Sequence, residues 1–255
     1  MTPSLCVAIT GAGGSLGQAL LRRWHARGAR LIALSSGSQP LQVHDDHGVP
    51  IPLQQVRWQV GAEAELADLL EQVDVLVLNH GVNVHGDRSA AAVTRSLEVN
   101  ALSSWRLLEQ FAAVVAARTA GSTLQPHRPR AEVWLNTSEA EIEPALSPLY
   151  ELSKRLLGQL ISLRALDLAG PGLRLRRLVL GPFRSSLNPI GVMSAGFVAA
   201  QVMAQARLGC NLIIVTPNPL TYLLMPMATL SRWLYFRMLS RPDQPLQPPQ
   251  NEAGG

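Results

Sequence analysis

The stretch "YELSK", residues 150–154, carries the pair best suited to moving a proton. Tyr150 and Lys154 stand four apart, so on a helix they project from one face. An ammonium beside a phenol favours its ionisation, and a phenol left at its ordinary pKa of ~10 exchanges protons poorly at neutral pH. Lys154 is the one lysine among 22 Lys and Arg residues. A compact ammonium with rotatable donors can serve a phenol and a ribose hydroxyl together, where a planar guanidinium fits badly. The second group is "TGAGGSLG", Thr10 to Gly17, directly after the apolar run "LCVAIT". Gly11, Gly14 and Gly17 permit a tight turn and close approach of a pyrophosphate, whose charge the amides of Ser15, Leu16 and Gly17 would meet at a helix N-terminus. Taken singly, the pair also reads as two surface residues, and the turn as a turn that holds nothing.

The elements that would position these groups alternate along the chain. After "LCVAIT" the pattern predicts a helix through "LGQALLRRWHARG", ended by Gly28 as a C-cap, and a second strand "RLIALS". "LQVHDDHGVPIPLQQVRWQV" reads as a hairpin-like insertion leading to a third strand. A helix over residues 63–72 precedes the buried strand "VDVLVLN", and Asp87 or Ser89 caps a helical stretch reaching Arg118. The loop "TLQPHRPR" then leads to the strand "AEVWLNT". Ser147 and Pro148 open a helix to Leu168, stopped by "AGPG". "LRLRRLVL", the helix "SAGFVAAQVMAQARLG" and the strand "NLIIVT" complete the series. Such alternation predicts an α/β fold, a Rossmann-type doubly wound parallel sheet in a single domain over residues 1–216.

The ordered set is the Gly-rich first turn, "LNHG" with Asn79 and Gly81, Asn100, Ser138, Tyr150 and Lys154, and it resembles the short-chain dehydrogenase/reductase family over Leu5 to Val215. The resemblance implies a nicotinamide cofactor and a tetrad. Tyr150 would be proton donor or acceptor, Lys154 would bind ribose and lower the tyrosine pKa, Ser138 would hold the substrate oxygen, and Asn100 would support a water relay. Asn79 and Gly81 would line the cofactor. Ser138 stands twelve residues before Tyr150, one closer than is usual in the family, and aligning the strand end on Asn136 instead gives Glu139 the serine's place. His80 replaces the family's usual small polar residue, and Gln59, Val60 and Gly61 stand where an Asp commonly contacts adenine. The second strand ends in Ser35, Ser36, Gly37 and Ser38 with no acid, and serines can donate to a 2′-phosphate that a carboxylate would repel, so NADP(H) is expected over NAD(H). Pro182, with Phe183, Arg184 and Ser185 after the sixth strand, is expected at the cofactor or substrate.

Composition bounds the rest. The chain has 255 residues with 47% hydrophobic content, enough for a core without disulfide or metal. Cys6 and Cys210 form no CxxC pair, so no metal site is expected and each reads as a structural thiol. The formal charge is +4, yet eight arginines and no acid lie between Ala169 and Pro242 among apolar residues, a mixture that suits an anionic membrane better than nucleic acid. Residues 217–241 are apolar with Arg232 and Arg237, and Pro217, Pro219 and Pro226 interrupt them, too broken for a spanning helix. They read as a flap over a lipophilic substrate, a membrane-apposed segment, or a helix packed on the core or on a second subunit. Residues 242–255 are expected to be a disordered tail. The resulting expectation is a cytoplasmic, peripherally membrane-associated NADP(H)-dependent oxidoreductase. It would interconvert carbonyl and alcohol on a small lipophilic substrate as a homo-oligomer. The alternative is a non-catalytic NAD(P)-binding regulatory or scaffold protein on the same fold.

Overall fold

The computed structural model describes residues 4–121, 129–168 and 172–241. Seven parallel strands, β1 (Cys6–Thr10), β2 (Arg30–Ser35), β3 (Gln54–Arg57), β4 (Val75–Leu78), β5 (Ala131–Ser138), β6 (Leu173–Leu180) and β7 (Leu212–Val215), form one sheet in the order β3-β2-β1-β4-β5-β6-β7. The chain winds outward from β1 to β3, then crosses back to β4 beside β1. That reversal leaves a crevice at the C-terminal ends of β1 and β4, where doubly wound sheets hold their ligands. The predicted fold class is therefore the observed one.

Side-chain alternation along the strands builds a core on each face. From β1, Val7 and Ile9 enter the cluster with Leu20 and Trp24 of helix α1 (Ser15–His25) and with Val198 and Val202 of helix α6 (Ala195–Arg207). Cys6 and Ala8 point the other way, toward Leu107 and Phe111 of helix α4 (Ser103–Gly121) and Leu157 and Ile161 of helix α5 (Pro148–Leu168). Trp24 meets Trp134 of β5 with ring centroids 5.4 Å apart. Cys6 is buried and Cys210 is partly so.

Most local signals are realised. Gly28 closes α1 with φ +73, donating its amide to His25 while Ala29 donates to Trp24. In the insertion after β2, Asp45 accepts from the amides of His47 and Val49, and His44 and Pro50 form an antiparallel bridge. The helix predicted over residues 63–72 is a 3-10 turn, Glu63–Leu66, followed by the short α2 (Ala67–Leu70). Ser89 caps α3 (Ala90–Leu97), accepting from the Ala92 amide. A π-helical turn, Glu98–Leu102, then separates α3 from α4 (Ser103–Gly121), so the single predicted helix is two. Helix α5 (Pro148–Leu168) begins as predicted, although the Ser147 hydroxyl donates to the His85 carbonyl and so ties two loops together. Ser194 caps α6 (Ala195–Arg207). Most of "TLQPHRPR", the "AGP" of the predicted stop and residues 242–255 lie outside the described residues.

Two expectations need correction. Prolines do not break the last apolar stretch, because α7 (Pro219–Leu239) is a single helix with Pro219 in its first turn, where a missing amide costs nothing, and Pro226 inside. The arginines after Ala169, read as a mixture suited to an anionic membrane, are not all available to a surface. Arg176 and Arg177 of β6 are buried, the first paired with Glu132 at 2.7 Å and the second 3.6 Å from Glu141. A buried guanidinium persists only with such partners. Among the described residues no helix is long and apolar enough to cross a membrane, in agreement with the reading of residues 217–241 as non-spanning.

Candidate active site

The C-terminal ends of β1, β2, β4, β5 and β6 surround a cleft of about 670 Å³. Its floor on one side is the glycine turn. Gly11 has φ +62, and a Cβ there would lie 2.9 Å from the His80 Cα, so only glycine lets this turn pass the end of β4. Gly17 does not line the cleft. A Cβ on it would lie 2.4 Å from the Gly11 carbonyl, so its smallness lets α1 close onto the turn. Gly14 is the N-cap of α1 and offers no side-chain cap, and the first turn carries no acid. The amides at this helix start therefore face the cleft without a side-chain acceptor, the arrangement that receives a phosphate. Gly14, Ser15 and Leu16 line the cleft beside them.

At the end of β2, Ser35 and Ser36 line the cleft, and Ser35 accepts from Gln55 at 3.3 Å. Arg57 stands in register with Ser35 on β3. Sequence reading missed this cation, because only strand pairing brings residues twenty-two apart in the chain side by side. At the end of β4, Asn79 and Gly81 line the cleft, and a Cβ on Gly81 would lie 3.2 Å from the Asn100 side-chain oxygen. The Thr10 hydroxyl oxygen accepts from the amides of Asn79 and His80 at 2.9 and 3.3 Å, and it lies 3.3 Å from the Val77 carbonyl and 2.8 Å from His80 Nδ1. Burial of His80, with the nearby Lys154 charge, holds its pKa at about 4.

The chemistry-bearing side chains come from β5 and α5. Lys154 is buried, and its Nζ donates to the Asn136 carbonyl at 3.0 Å and lies 5.6 Å from the centre of the Tyr150 ring. Burial lowers its pKa to about 8, against the opposing charge of Glu141. Burial raises the Tyr150 phenol above its ordinary range, the neighbouring Ser138 side chain opposes the rise, and the Glu139 charge adds to it. Desolvation thus leaves the phenol of the chain alone less acidic than the resemblance implied. Ser138 lines the cleft. Glu139 lines the cleft too, but its carboxylate accepts from Thr216 at 2.5 Å and burial raises its pKa.

Asn100 is brought near this group without reaching the cleft. Its side-chain oxygen accepts from the Val82 amide at 2.7 Å, and its amide group donates to the Val82 carbonyl and to Ser153, each at 2.9 Å. It braces the loop after β4 against α5, and the π-helical turn around it supplies the local displacement. Asn136 entered the sequence reading as an alignment point and not as a site residue. Besides holding Lys154, it donates to the Asn79 side chain at 2.9 Å and so joins the ends of β4 and β5. Pro182, Phe183 and Ser185 close the far side of the cleft, while Arg184 donates to the Gly191 carbonyl at 3.1 Å within its own loop. No cluster of potential metal ligands is present among the described residues.

Residues 7–162 match the model of the NAD dependent epimerase/dehydratase family. The chain is 45% identical over 235 residues to a monoglucosyldiacylglycerol epimerase of Synechocystis sp., an alignment covering 92% of this chain and 55% of that protein. This chain therefore spans about half the length of that relative. Among solved structures it is similar to a short-chain dehydrogenase from Sphingobium yanoikuyae in complex with NADPH, with TM-score 0.70, 17% identity, and coverage of 94% of this chain and 98% of that one. A bulky-bulky ketone specific alcohol dehydrogenase from Comamonas testosteroni superposes equally well, with TM-score 0.70, 17% identity, and coverage of 96% and 98%. At that identity the likeness speaks for the fold.

Proposed function

Since the chain belongs to the NAD dependent epimerase/dehydratase family, we propose that it inverts a carbinol centre on the sugar of a lipophilic glycosyl substrate. The observation that carries this reading is the convergence of Ser138, Tyr150 and Lys154 on one cleft that also contains an uncapped glycine turn. The relative's epimerase name supports inversion, and its glycolipid supports the lipophilic class.

The residues present fit a dinucleotide. The start of α1 would receive the pyrophosphate, Asn79 and Gly81 would flank the adjoining ribose, and Lys154 would reach the nicotinamide ribose. Ser35 and Ser36, with Arg57 in register on β3, favour a 2′-phosphate and hence NADP(H). When bound, the nicotinamide supplies a two-electron acceptor that returns its hydride, so inversion consumes no net oxidant. The chain's own part is proton transfer and orientation. Ser138 holds the substrate oxygen, and the Tyr150 oxygen removes its proton as the carbinol is oxidised to a ketone. The same phenol returns the proton once the ketone has presented its opposite face. The Lys154 ammonium, 5.6 Å from the Tyr150 ring, would offset part of the cost that burial puts on the phenolate. The carbonyl and alcohol interconversion expected from the sequence would then be each half of the reaction, run forward and back.

The test is to incubate the purified chain and NADP⁺ with a monoglucosyl diacylglycerol and resolve the sugar products by NMR. An epimeric glycolipid formed without net change in NADPH absorbance supports the reading, and stoichiometric NADPH oxidation on a ketone would replace it with simple reduction. Turnover undiminished in Tyr150→Phe would remove the tyrosine from the chemistry. Dinucleotide binding with no turnover of any glycolipid would favour the regulatory alternative.

A further inference from the structure

The segment that follows Ser138 reads Glu139, Ala140, Glu141, Ile142, Glu143, and its three carboxylates all face α7 or the strand end that leads into it. Thr216 donates to Glu139 at 2.5 Å, Thr221 donates to Glu143 at 2.9 Å, and the Asn218 side-chain amide donates to Glu143 as well. Farther along the helix, Arg232 donates to the Glu141 carboxylate at 2.7 Å and to its carbonyl at 3.3 Å. Glu141 is fully buried between Arg232 and Arg177, pressed against α5 at Gly158, where a Cβ would lie 1.9 Å from its carboxylate. An ion pair so enclosed holds one geometry, because separating it strands a charge away from water. Helix α7 is thus pinned to the turn that carries Ser138.

The outer face is the reverse in character. Leu223, Met227, Leu230, Leu234 and Met238 recur at helical spacing and all are exposed. Tyr222, Trp233 and Tyr235 flank them, with the Arg237 guanidinium 5.3 Å from the Trp233 ring centre. The helix contains no acid, and Arg237 and Arg241 are the charges left free of the inward clamp. Exposed Leu187, Ile190 and Val192 lie in the loop that closes one side of the cleft, and Leu146, 93% exposed, stands at its mouth three residues beyond Glu143. Exposed apolar side chains clustered along one helix face mark an interface. A second copy docked through the same helix about a two-fold axis would bring no carboxylate of α7 to meet Arg237. An anionic headgroup layer meets both needs, with phosphates for the arginines and acyl chains for the stripe.

We propose that α7 and the cleft rim form a face that docks on an anionic lipid bilayer, with the helix lying in the interface and the cleft mouth opening at the same surface. The docking stands on the surface alone, and only delivery of substrate from the bilayer rests on the glycolipid reading above. Because the clamp flanks Ser138 in the chain, docking would also fix the distance from the bilayer to Tyr150.

The test is flotation of the full chain with vesicles of phosphatidylcholine, with and without phosphatidylglycerol. The expected result is flotation with the anionic vesicles that weakens in high salt, loss of at least about tenfold in partitioning for the combined Leu223→Glu, Leu230→Glu and Leu234→Glu variant, and a milder loss for Arg237→Gln with Arg241→Gln. NADPH binding should be unchanged in each. Equal flotation of wild type and the leucine variant would overturn the proposal. So would absence of flotation combined with conversion of a dimer to a monomer by the same variant, which would assign the face to a second copy. Tyr150→Phe should lose epimerisation yet float normally, so failure of the catalytic reading and failure of the docking reading are told apart.

Discussion

Helices α5 and α7 are each twenty-one residues long, each starts at a proline, and they pack against one another. Their fates differ. Helix α5 buries Ser153, Lys154, Leu157, Gly158 and Ile161 along one face, whereas the buried residues of α7 are Thr221 and Met225. The more apolar helix is the more exposed one. Hydrophobic content therefore did not decide burial here, and polar contacts did. Helix α5 runs across the sheet with its lysine under the Asn136 carbonyl, while α7 is fastened by Arg232, Thr221 and Asn218 to three glutamates and leaves its leucines outside.

The contrast can be broken at several points. The largest effect is expected on α5 itself, where Tyr150→Phe should lower kcat by about 10²–10⁴-fold while leaving dinucleotide affinity and melting temperature near wild type. Next comes the clamp. Glu141→Gln leaves Arg177 and Arg232 without their shared counter-charge, and a loss of about 3–5 kcal/mol in denaturant unfolding is expected. Gly158→Ala forces a methyl into the same carboxylate, for which a loss of about 1–3 kcal/mol is expected. The exposed stripe should behave oppositely, with Leu230→Ser changing stability by less than about 0.5 kcal/mol.

Titration sharpens the same comparison. Lys154 has its pKa lowered by burial to about 8, so above that pH the ammonium is lost in the folded chain first. Activity that depends on the charge should decline as pH rises through about 8, read from the alkaline limb of kcat/KM. Stability should move the other way over the same range, because the unfolded chain keeps that proton up to ~10.4 and a chain that binds more protons unfolded gains stability with rising pH. His80, held at about 4, gives the acid counterpart: its contribution is lost as pH falls from ~6.5 toward 4, and chemical denaturation of His80→Asn should lack that segment.

Much of the fold was legible because its signals are local. The glycine turn, the Gly28 terminator, the caps at Ser89 and Ser194, and the start of α5 at Pro148 each depend on a few consecutive residues. The apolar strands read directly because both faces of the sheet are covered, whereas β3, the partly exposed edge strand QQVR, was read only as the end of a hairpin-like insertion. What failed was non-local. Nothing in "LRLRRLVL" says which arginines point inward, since Glu132 and Glu141 lie some forty residues upstream. Pro226 inside a continuous helix, and the π-helical turn that lets Asn100 bond to Val82 and Ser153, likewise depend on what surrounds them.

By itself the sequence determined the order of elements, the glycine cradle and the four-residue spacing of Tyr150 and Lys154, because torsional preference and side-chain periodicity act over a few residues. Tertiary structure alone decided that Glu139 is held by Thr216, that Lys154 is held by the Asn136 carbonyl, and that α7 shows its leucines to the outside. Each of those outcomes turns on desolvation and on partners far apart in the chain, quantities that exist only once the sheet has closed.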